Sequence, residues 1–178
     1  MRILTIAKRI NQLNQRCFHS SGKKVDIFHT KTPEQWRELF EKRQEYGIVK
    51  HLEFQFVSIE HKKLTACIQV KEQNHMAPNG YMHAAAQIFL ADTACGFGAY
   101  AHLPSEDKAF TTIELKSNFL GTAKPGDTLY CLAELRHAGK STQVWDAECY
   151  LVDEKTGERK KTTSLFRCTQ AILDPKMK

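Results

Sequence analysis

The chain has 178 residues, enough for one domain with a substantial core, and with 42% hydrophobic and 26% charged residues its composition is that of an ordinary globular protein. Its net charge of +6 is local, because six of the 26 basic residues lie among the first 25 residues, which contain no acid. The remainder carries 20 basic and 20 acidic residues, which excludes recognition of nucleic acid by a basic patch on the main body.

Residues 1–24 form a basic, amphipathic leader. Five apolar residues recur at spacings of three and four, which places them on one helical stripe: Ile3, Ile6, Ile10, Leu13 and Cys17. With Arg16-Cys17-Phe18-His19-Ser20-Ser21 near its end, the leader resembles a mitochondrial presequence with an arginine-based processing site, and it lacks the continuous apolar core of a secretory signal. We therefore expect import into the mitochondrial matrix. The alternative is a cytoplasmic protein whose leader is a solubilising or surface-bound segment.

Residues 25–50 are expected to contain a linker and a short helix. Thr32 is a good N-cap, Pro33 suits the first helical position, and the helical spacing continues until Gly47. Trp36 and Phe40 on this helix are expected to cover the core or the mouth of a pocket.

Residues 51–174 are expected to form the main domain. Two strand-like runs, Leu52 to Ile59 and Leu64 to Val70, predict a hairpin that leads to a turn at Pro78-Asn79-Gly80. An apolar, proline-free helix follows from Ala84. Four further β-rich runs complete the chain: Phe110 to Leu120, Thr128 to Arg136, Ser141 to Val152 and Arg159 to Leu173. This order predicts an α+β fold in which one long helix is wrapped by an antiparallel sheet of five or six strands.

Asp92 stands out because it lies in the middle of this apolar helix. A carboxylate taken from water without partners costs several kcal/mol, so it must be compensated or used. His83 at the helix start, Asn79 and Gly80 before it, and the unpaired N–H groups beginning at Ala84 offer a site for a negatively charged oxygen. A base together with an oxyanion site indicates acyl transfer to water.

The spacing of these groups constrains the assembly. Nine residues of helix span about 13 Å, so His83 and Asp92 of one chain cannot flank the same carbonyl. Two antiparallel copies of the helix across a two-fold axis would bring the start of one beside the middle of the other. An enzyme of this kind is therefore expected to be a homo-oligomer, either a dimer or a dimer of dimers.

The segment NGYMHAAAQIFLADT (Asn79 to Thr93) resembles the helix-start motif of the hotdog-fold acyl-CoA thioesterases, the PaaI-like branch in particular. The runs FTTIELKSNFLGTAKPGD and RHAGKSTQVWDAECY are similar to later strands of that family, and the resemblance covers roughly Leu52 to Leu173. It implies a hotdog fold and an acyl-CoA substrate, without a cofactor. Three positions depart from the family: Ala84 and Ala85 replace the usual Gly-Gly, and Ala77 stands where many members carry Asn or Gln.

The resemblance also implies roles for individual residues. Asp92 would act as base or nucleophile, the Ala84 N–H as oxyanion donor, His83 as an orienting group and Thr112 as a helper of the acid, although Thr112 also suits a strand as a β-former. Asn79 or His75 would take over the role of the residue replaced by Ala77. The further residues expected to bind substrate are Gly80, Thr93, Lys140 and Ser141, with Lys140 directed to the phosphates of coenzyme A.

Other site types are less well supported. The six cysteines contain no C-x-x-C pair and predict buried free thiols in a reducing compartment, and the histidines lack metal-ligand spacing. The helix is too interrupted to span a bilayer. Two alternatives to a thioesterase stay open: a hotdog dehydratase or hydratase acting on acyl thioesters, and a non-catalytic acyl-CoA-binding protein.

Overall fold

The computed structural model describes residues 27–153 and 155–174, so the leader and its expected processing site lie outside the described residues and mitochondrial import stays a prediction. A 3₁₀ turn at Ile27–Thr30 opens the described chain. The helices are α1 Pro33–Arg43, α2 Gly47–His51, α3 Glu72–His75 and α4 Ala84–Ala101. The strands are β1 Gln55–Glu60, β2 Lys63–Gln69, β3 Ala109–Phe119, β4 Thr128–Ala138, β5 Thr142–Val152 and β6 Arg159–Leu173.

The predicted start of helix α1 is confirmed. Thr32 accepts a hydrogen bond from the Gln35 N–H, and the Gln35 side chain accepts one from the Thr32 N–H, which together form a capping box. Trp36 and Phe40 are fully buried, and the Phe40 ring stacks on Phe97 of α4 at 4.9 Å. Helix α1 therefore packs its apolar face against the central helix.

Two predicted boundaries are wrong, namely the end of α1 and the start of the first strand. Helix α1 ends at Arg43 and not at Gly47, which instead begins α2 with a φ of +57°. The first strand begins at Gln55 and not at Leu52, because Leu52 is the C-cap of α2 and Glu53 has a φ of 54°. Backbone in this left-handed region cannot continue a strand, which explains the later start.

The six strands form one antiparallel sheet in the order β1-β2-β4-β5-β6-β3, and α4 packs against it. This confirms the α+β hotdog architecture with one long helix wrapped by five or six strands. The helix meets the sheet through small or branched side chains, namely Ala86, Leu90, Ala94, Cys95 and Ala99, all of which are buried. Five cysteines lie in the described part of the chain, and each is a buried free thiol.

The two edges of the sheet differ. At the β1 edge, Arg37 of α1 donates to the Val57 carbonyl, and Gln44 accepts from the Phe56 N–H. At the other end β3 has no second strand partner within the described residues, and it exposes large apolar side chains, including Ile113 at 58%. An uncovered edge of this kind is a template for pairing with another chain. Of the described helices, none has the length and apolar character needed to cross a membrane.

Candidate active site

Asp92 lies half-buried in the middle of α4, with one hydrogen-bond partner on strand β3. The Thr112 hydroxyl donates to Asp92 Oδ1 over 3.0 Å. Burial raises the pKa of the Asp92 carboxyl, and the hydrogen bond from Thr112 partly offsets that rise. Within the described residues Asp92 forms no ion pair, so the carboxylate is held by a single neutral donor and is a stronger base than an exposed aspartate.

A bulge in strand β3 sets the position of Thr112. The register with β6 shifts between Thr112 and Glu114, which leaves Ile113 as the extra residue. Because of the shift, Thr112 and Leu115, although three residues apart, are both register partners of fully buried β6 residues, Gln170 and Cys168. Bulges commonly re-aim a side chain beside a functional site in this way.

The start of α4 presents one open amide donor. His83 is the N-cap, and its Nδ1 accepts from the Ala85 N–H at 3.0 Å, while its carbonyl accepts from the Ala86 N–H. Among the hydrogen bonds of the described residues, the Ala84 N–H has no acceptor. The positive end of the helix dipole coincides with this open donor, so an anionic oxygen can be held there.

The loop before α4 is fixed by its own contacts. Asn79 accepts from the Tyr81 N–H over 3.2 Å, and Gly80 has a φ of +79° that favours glycine. The Met82 N–H donates to the Thr122 hydroxyl at 3.0 Å, which ties the loop to the connection between β3 and β4. The Asn79 side chain thus closes the turn at the mouth of the helix start.

The environment of His75 does not suit substrate binding. Its side chain is 1% exposed, its Nδ1 accepts from the Lys71 N–H, and its Nε2 donates to the Leu52 carbonyl. Both ring nitrogens are therefore engaged by the main chain. We correct the expectation that His75 binds substrate, because its polar atoms are spent on holding α3 against residue 52.

A cavity of about 390 Å³ lies beside the helix start. Its lining includes three groups that the sequence reasoning missed: Gln87, Thr122 and Lys161. The Gln87 amide donates to the Gly121 carbonyl, and its Oε1, buried in the wall, has no hydrogen-bond partner among the residues that the structure describes. Gln87 could have been found by the argument that singled out Asp92, since it is also a polar side chain in an apolar helix. Lys161 carried no comparable signal.

The two halves of the candidate site are separate within one chain. Because α4 is continuous from Ala84 through Asp92, these two residues are about 12 Å apart along the axis. Thr93 is half-buried next to the acid. Lys140 and Ser141 are exposed in the β4–β5 turn, where the Ser141 carbonyl accepts from the Ile172 N–H. That turn lies at the end of the sheet where α4 finishes, opposite its start.

A second cavity, of about 370 Å³, lies among residues of strands β3 to β6 that include Arg136, Asp146 and Arg167. Its central charges are already paired, because Arg136 and Arg167 both bind Asp146. It contains neither Asp92 nor the helix start, and we therefore place the candidate site at α4. Within the described residues no group of three His, Cys, Asp or Glu side chains converges as metal ligands.

Comparison with known proteins adds family relationships to this geometry. A model of the thioesterase superfamily matches residues 79–158, which include the whole of α4 and both halves of the site. A 1,4-dihydroxy-2-naphthoyl-CoA hydrolase of Listeria monocytogenes is 31% identical over 126 residues, which span 71% of this chain and 95% of that protein.

Solved structures share the fold. A mutant thioesterase of Pseudomonas aeruginosa superposes with a TM-score of 0.70 at 23% identity, covering 80% of this chain and 96% of its own. The PaaI protein of E. coli, from the phenylacetic acid degradation operon, superposes with a TM-score of 0.64 at 25% identity, covering 78% and 92%.

Proposed function

Since the chain belongs to the thioesterase superfamily and is a thioester hydrolase of the PaaI-like hotdog type, we propose that it hydrolyses acyl-CoA at sites shared between two subunits. The proposal rests on two groups that helix α4 carries at different positions. Asp92 is half-buried and hydrogen-bonded, and the Ala84 N–H has no acceptor among the described residues. These are the base and the oxyanion donor that acyl transfer to water requires.

The reaction needs few groups. In the base mechanism Asp92 takes a proton from water as the water oxygen bonds to the acyl carbon, and the carbonyl oxygen becomes an oxyanion held by the Ala84 N–H. Collapse of this intermediate breaks the C–S bond, and the departing thiolate takes the proton back from Asp92. A thiol with a pKa of about 8.5 is a comparatively good leaving group, so little further acid catalysis is needed.

Asp92 can also act as the nucleophile. Its attack would form a mixed anhydride and release the thiolate, after which water would cleave the anhydride. Appearance of ¹⁸O in Asp92 after a single turnover in H₂¹⁸O would establish the nucleophilic route, because in the base mechanism the water oxygen goes only to the acyl product.

The proposed subunit arrangement rests on the open edge of β3 and on the axial separation within α4. If two copies pair through β3 about a two-fold axis, the two α4 helices run antiparallel and the start of one approaches Asp92 of the other. The exposed side chains of Ile113, Leu115 and Phe119 would then be covered. The same arrangement brings the Lys140 turn of one subunit towards the helix start of its partner.

We assign the nucleotide end of coenzyme A to the cavity at the start of α4. Lys161 lines the cavity at the helix start, and in the proposed dimer Lys140 and Ser141 approach from the other subunit. Lysines at these positions offer point charges to phosphate groups. The acyl group would lie along the interface between the two α4 helices.

The first prediction tests this function directly. Incubated with a panel of aliphatic and aromatic acyl-CoAs and a thiol reagent, the protein should release free coenzyme A, and Asp92→Asn should lower kcat by about 10² or more through loss of the base. Binding measured by calorimetry should persist in the variant.

The same assay separates the alternatives. A dehydratase or hydratase would change the acyl group without releasing thiol, and a binding protein would retain intact acyl-CoA. An Asp92→Asn protein as active as the parent would refute the role of the acid.

A further inference from the structure

Three polar side chains form a row across the helix-facing side of the sheet. Thr112 on β3, Gln170 on β6 and Gln143 on β5 are register partners, and both glutamines are almost fully buried. Thr112 Oγ1 lies 3.0 Å from Asp92 Oδ1 and 3.1 Å from Gln170 Oε1. Gln170 therefore stands directly behind the hydroxyl that holds the candidate catalytic acid.

The hydrogen atoms in this row fix the direction of the bonds. The Thr112 hydroxyl has one hydrogen and cannot donate to Asp92 and to Gln170 Oε1 together. The two ends of the Gln170 amide lie 3.1 Å from Thr112 Oγ1 and 3.4 Å from Cys168 Sγ. If the amide is turned by 180°, Nε2 donates to Thr112 Oγ1 and Oε1 accepts from the Cys168 thiol. In this orientation Cys168, Gln170 and Thr112 each donate to the next group, and the series ends on Asp92.

We propose that Gln170 is a positioning residue that fixes the Thr112 hydroxyl hydrogen on Asp92 Oδ1 and thereby keeps the acid ionised and oriented. The inference rests on the proposed role of Asp92 in hydrolysis. Because Oδ1 is occupied by Thr112, and Oδ2 has no partner among the described residues, the row leaves Oδ2 for the reacting water or acyl carbon. Without the Gln170 amide, the Thr112 hydroxyl could rotate away from the carboxylate.

The titratable groups around Asp92 do not offer another explanation. On α4 the charge of Asp92 acts on the Cys95 thiol, and burial raises the pKa of that thiol well above its ordinary value. Cys95 in turn hydrogen-bonds to Cys168 on β6, and β3 contributes the neutral Thr112. No basic side chain in the described part of the chain forms an ion pair with Asp92. Among the described residues, the hydrogen bond from Thr112 is therefore the interaction that offsets the rise in the Asp92 pKa caused by burial.

The test is the pH dependence of kcat/KM for acyl-CoA hydrolysis in Gln170→Leu. We expect the acidic limb to move to higher pH, with kcat/KM about threefold to tenfold lower at pH values below the parent midpoint and closer to the parent above it. Gln170→Met, which keeps much of the volume but lacks the amide donor and adds no charge, should move the limb in the same direction. It also serves if Gln170→Leu does not fold. An acidic limb that stays in place or moves to lower pH would overturn the proposal.

A double-mutant cycle tests whether Gln170 acts through Thr112. Gln170→Leu should shift the acidic limb in a Thr112→Ser background, which keeps the hydroxyl, but not in a Thr112→Val background, which lacks it. Gln143→Leu is the matched control, because Gln143 is a buried glutamine of the same row that contacts the carbonyls of Ala99 and His102. It should lower Tm without moving the acidic limb. An equal shift in Gln143→Leu would mean that general loss of stability explains the effect.

Failure of this inference can be distinguished from failure of the proposed function. If the parent protein hydrolyses no acyl-CoA, the titration of Asp92 can still be followed by ¹³C NMR of its carboxyl carbon. A higher pKa of Asp92 in Gln170→Leu would support the proposed role of Gln170. An unchanged pKa would reject that role whatever the activity of the protein.

Discussion

The Asp92 carboxylate combines burial, a single hydrogen bond and a position inside an apolar helix. Burial raises its pKa, so its charged form destabilises the folded chain relative to its protonated form. When folding raises the pKa of an acid, its contribution to stability is fully present at pH values below the unfolded-state pKa. This contribution is lost as the pH rises through the folded-state pKa. Asp92 thus lowers stability near neutral pH while supplying a base.

The second prediction follows from that sign. Asp92→Asn carries no charge and can still accept from Thr112, so we expect its Tm at pH 7 to equal or exceed that of the parent. The difference should shrink as the pH falls towards 3.8, the ordinary pKa of the carboxyl. Thermal unfolding followed by circular dichroism from pH 4 to pH 8 checks this. A variant less stable than the parent at pH 7 would mean that the carboxylate has a stabilising partner in the protein.

The third prediction concerns the oxyanion donor. Proline is well accepted at the first helical position, and His83, with φ of −64° and ψ of 132°, already has the extended conformation required before proline. Ala84→Pro should therefore remove the N–H with little change in the helix. Loss of one oxyanion donor typically costs about 10² to 10³ in kcat. Ala84→Gly, which keeps the N–H, is the matched control, and equal activities of the two variants would exclude the Ala84 amide as a donor.

At the scale of elements, helix α4 is held at both ends against the sheet. At its start the Met82 N–H bonds to Thr122, and at its end Gln143 donates to the carbonyls of Ala99 and His102. Close to the end, Gly98 packs directly on the Trp145 ring of β5. These contacts fix the depth at which Asp92 meets Thr112.

The fourth prediction uses two glycines of the same helix. A Cβ at position 98 would lie 2.6 Å from the Trp145 ring, so Gly98→Ala should destabilise the fold by about 1–3 kcal/mol through overpacking. A Cβ at position 96 would lie 3.5 Å from Phe110, an ordinary contact, so Gly96→Ala should be neutral or stabilising by up to about 1 kcal/mol through helix propensity. Urea unfolding measures both. Equal free energies of unfolding would show that Trp145 can move aside.

At the scale of the whole molecule, the proposed activity requires two chains, because the acid and the open amide of one chain are too far apart. The edge of β1 is occupied by α1, whereas no described strand or helix covers the apolar edge of β3. The geometry therefore favours association through β3.

The fifth prediction tests shared sites by complementation. Asp92→Asn and Ala84→Pro chains should each be almost inactive alone, but a mixed dimer would contain one site with an intact acid and an intact amide. Equal amounts after full subunit exchange should regain about a quarter of the parent activity, since half of the dimers are mixed. Exchange is followed with differently labelled chains. If the chains exchange and the mixture stays inactive, both groups must act within one chain.

The sequence by itself determined the class of fold and the two halves of the candidate site. The start of helix α4 and both boundaries of β6 were predicted correctly, because periodicity and turn residues are local signals. These signals agree with one another along most of the chain. Asp92 and the start of α4 were singled out because a carboxylate in an apolar helix is conspicuous in the residue order, and because every helix start has N–H groups without an intrahelical acceptor.

Other features were decided only by tertiary structure. The left-handed Glu53 that delays β1 and the bulge that turns Thr112 towards Asp92 follow from packing against neighbouring strands, which no local pattern encodes. The same is true of His75, whose nitrogens are used by Lys71 and Leu52, and of Gln170, which is 78 residues from Asp92 and reaches it only through the β3–β6 register. These contacts join residues far apart in the chain, and their partners are fixed only when the sheet closes around the helix.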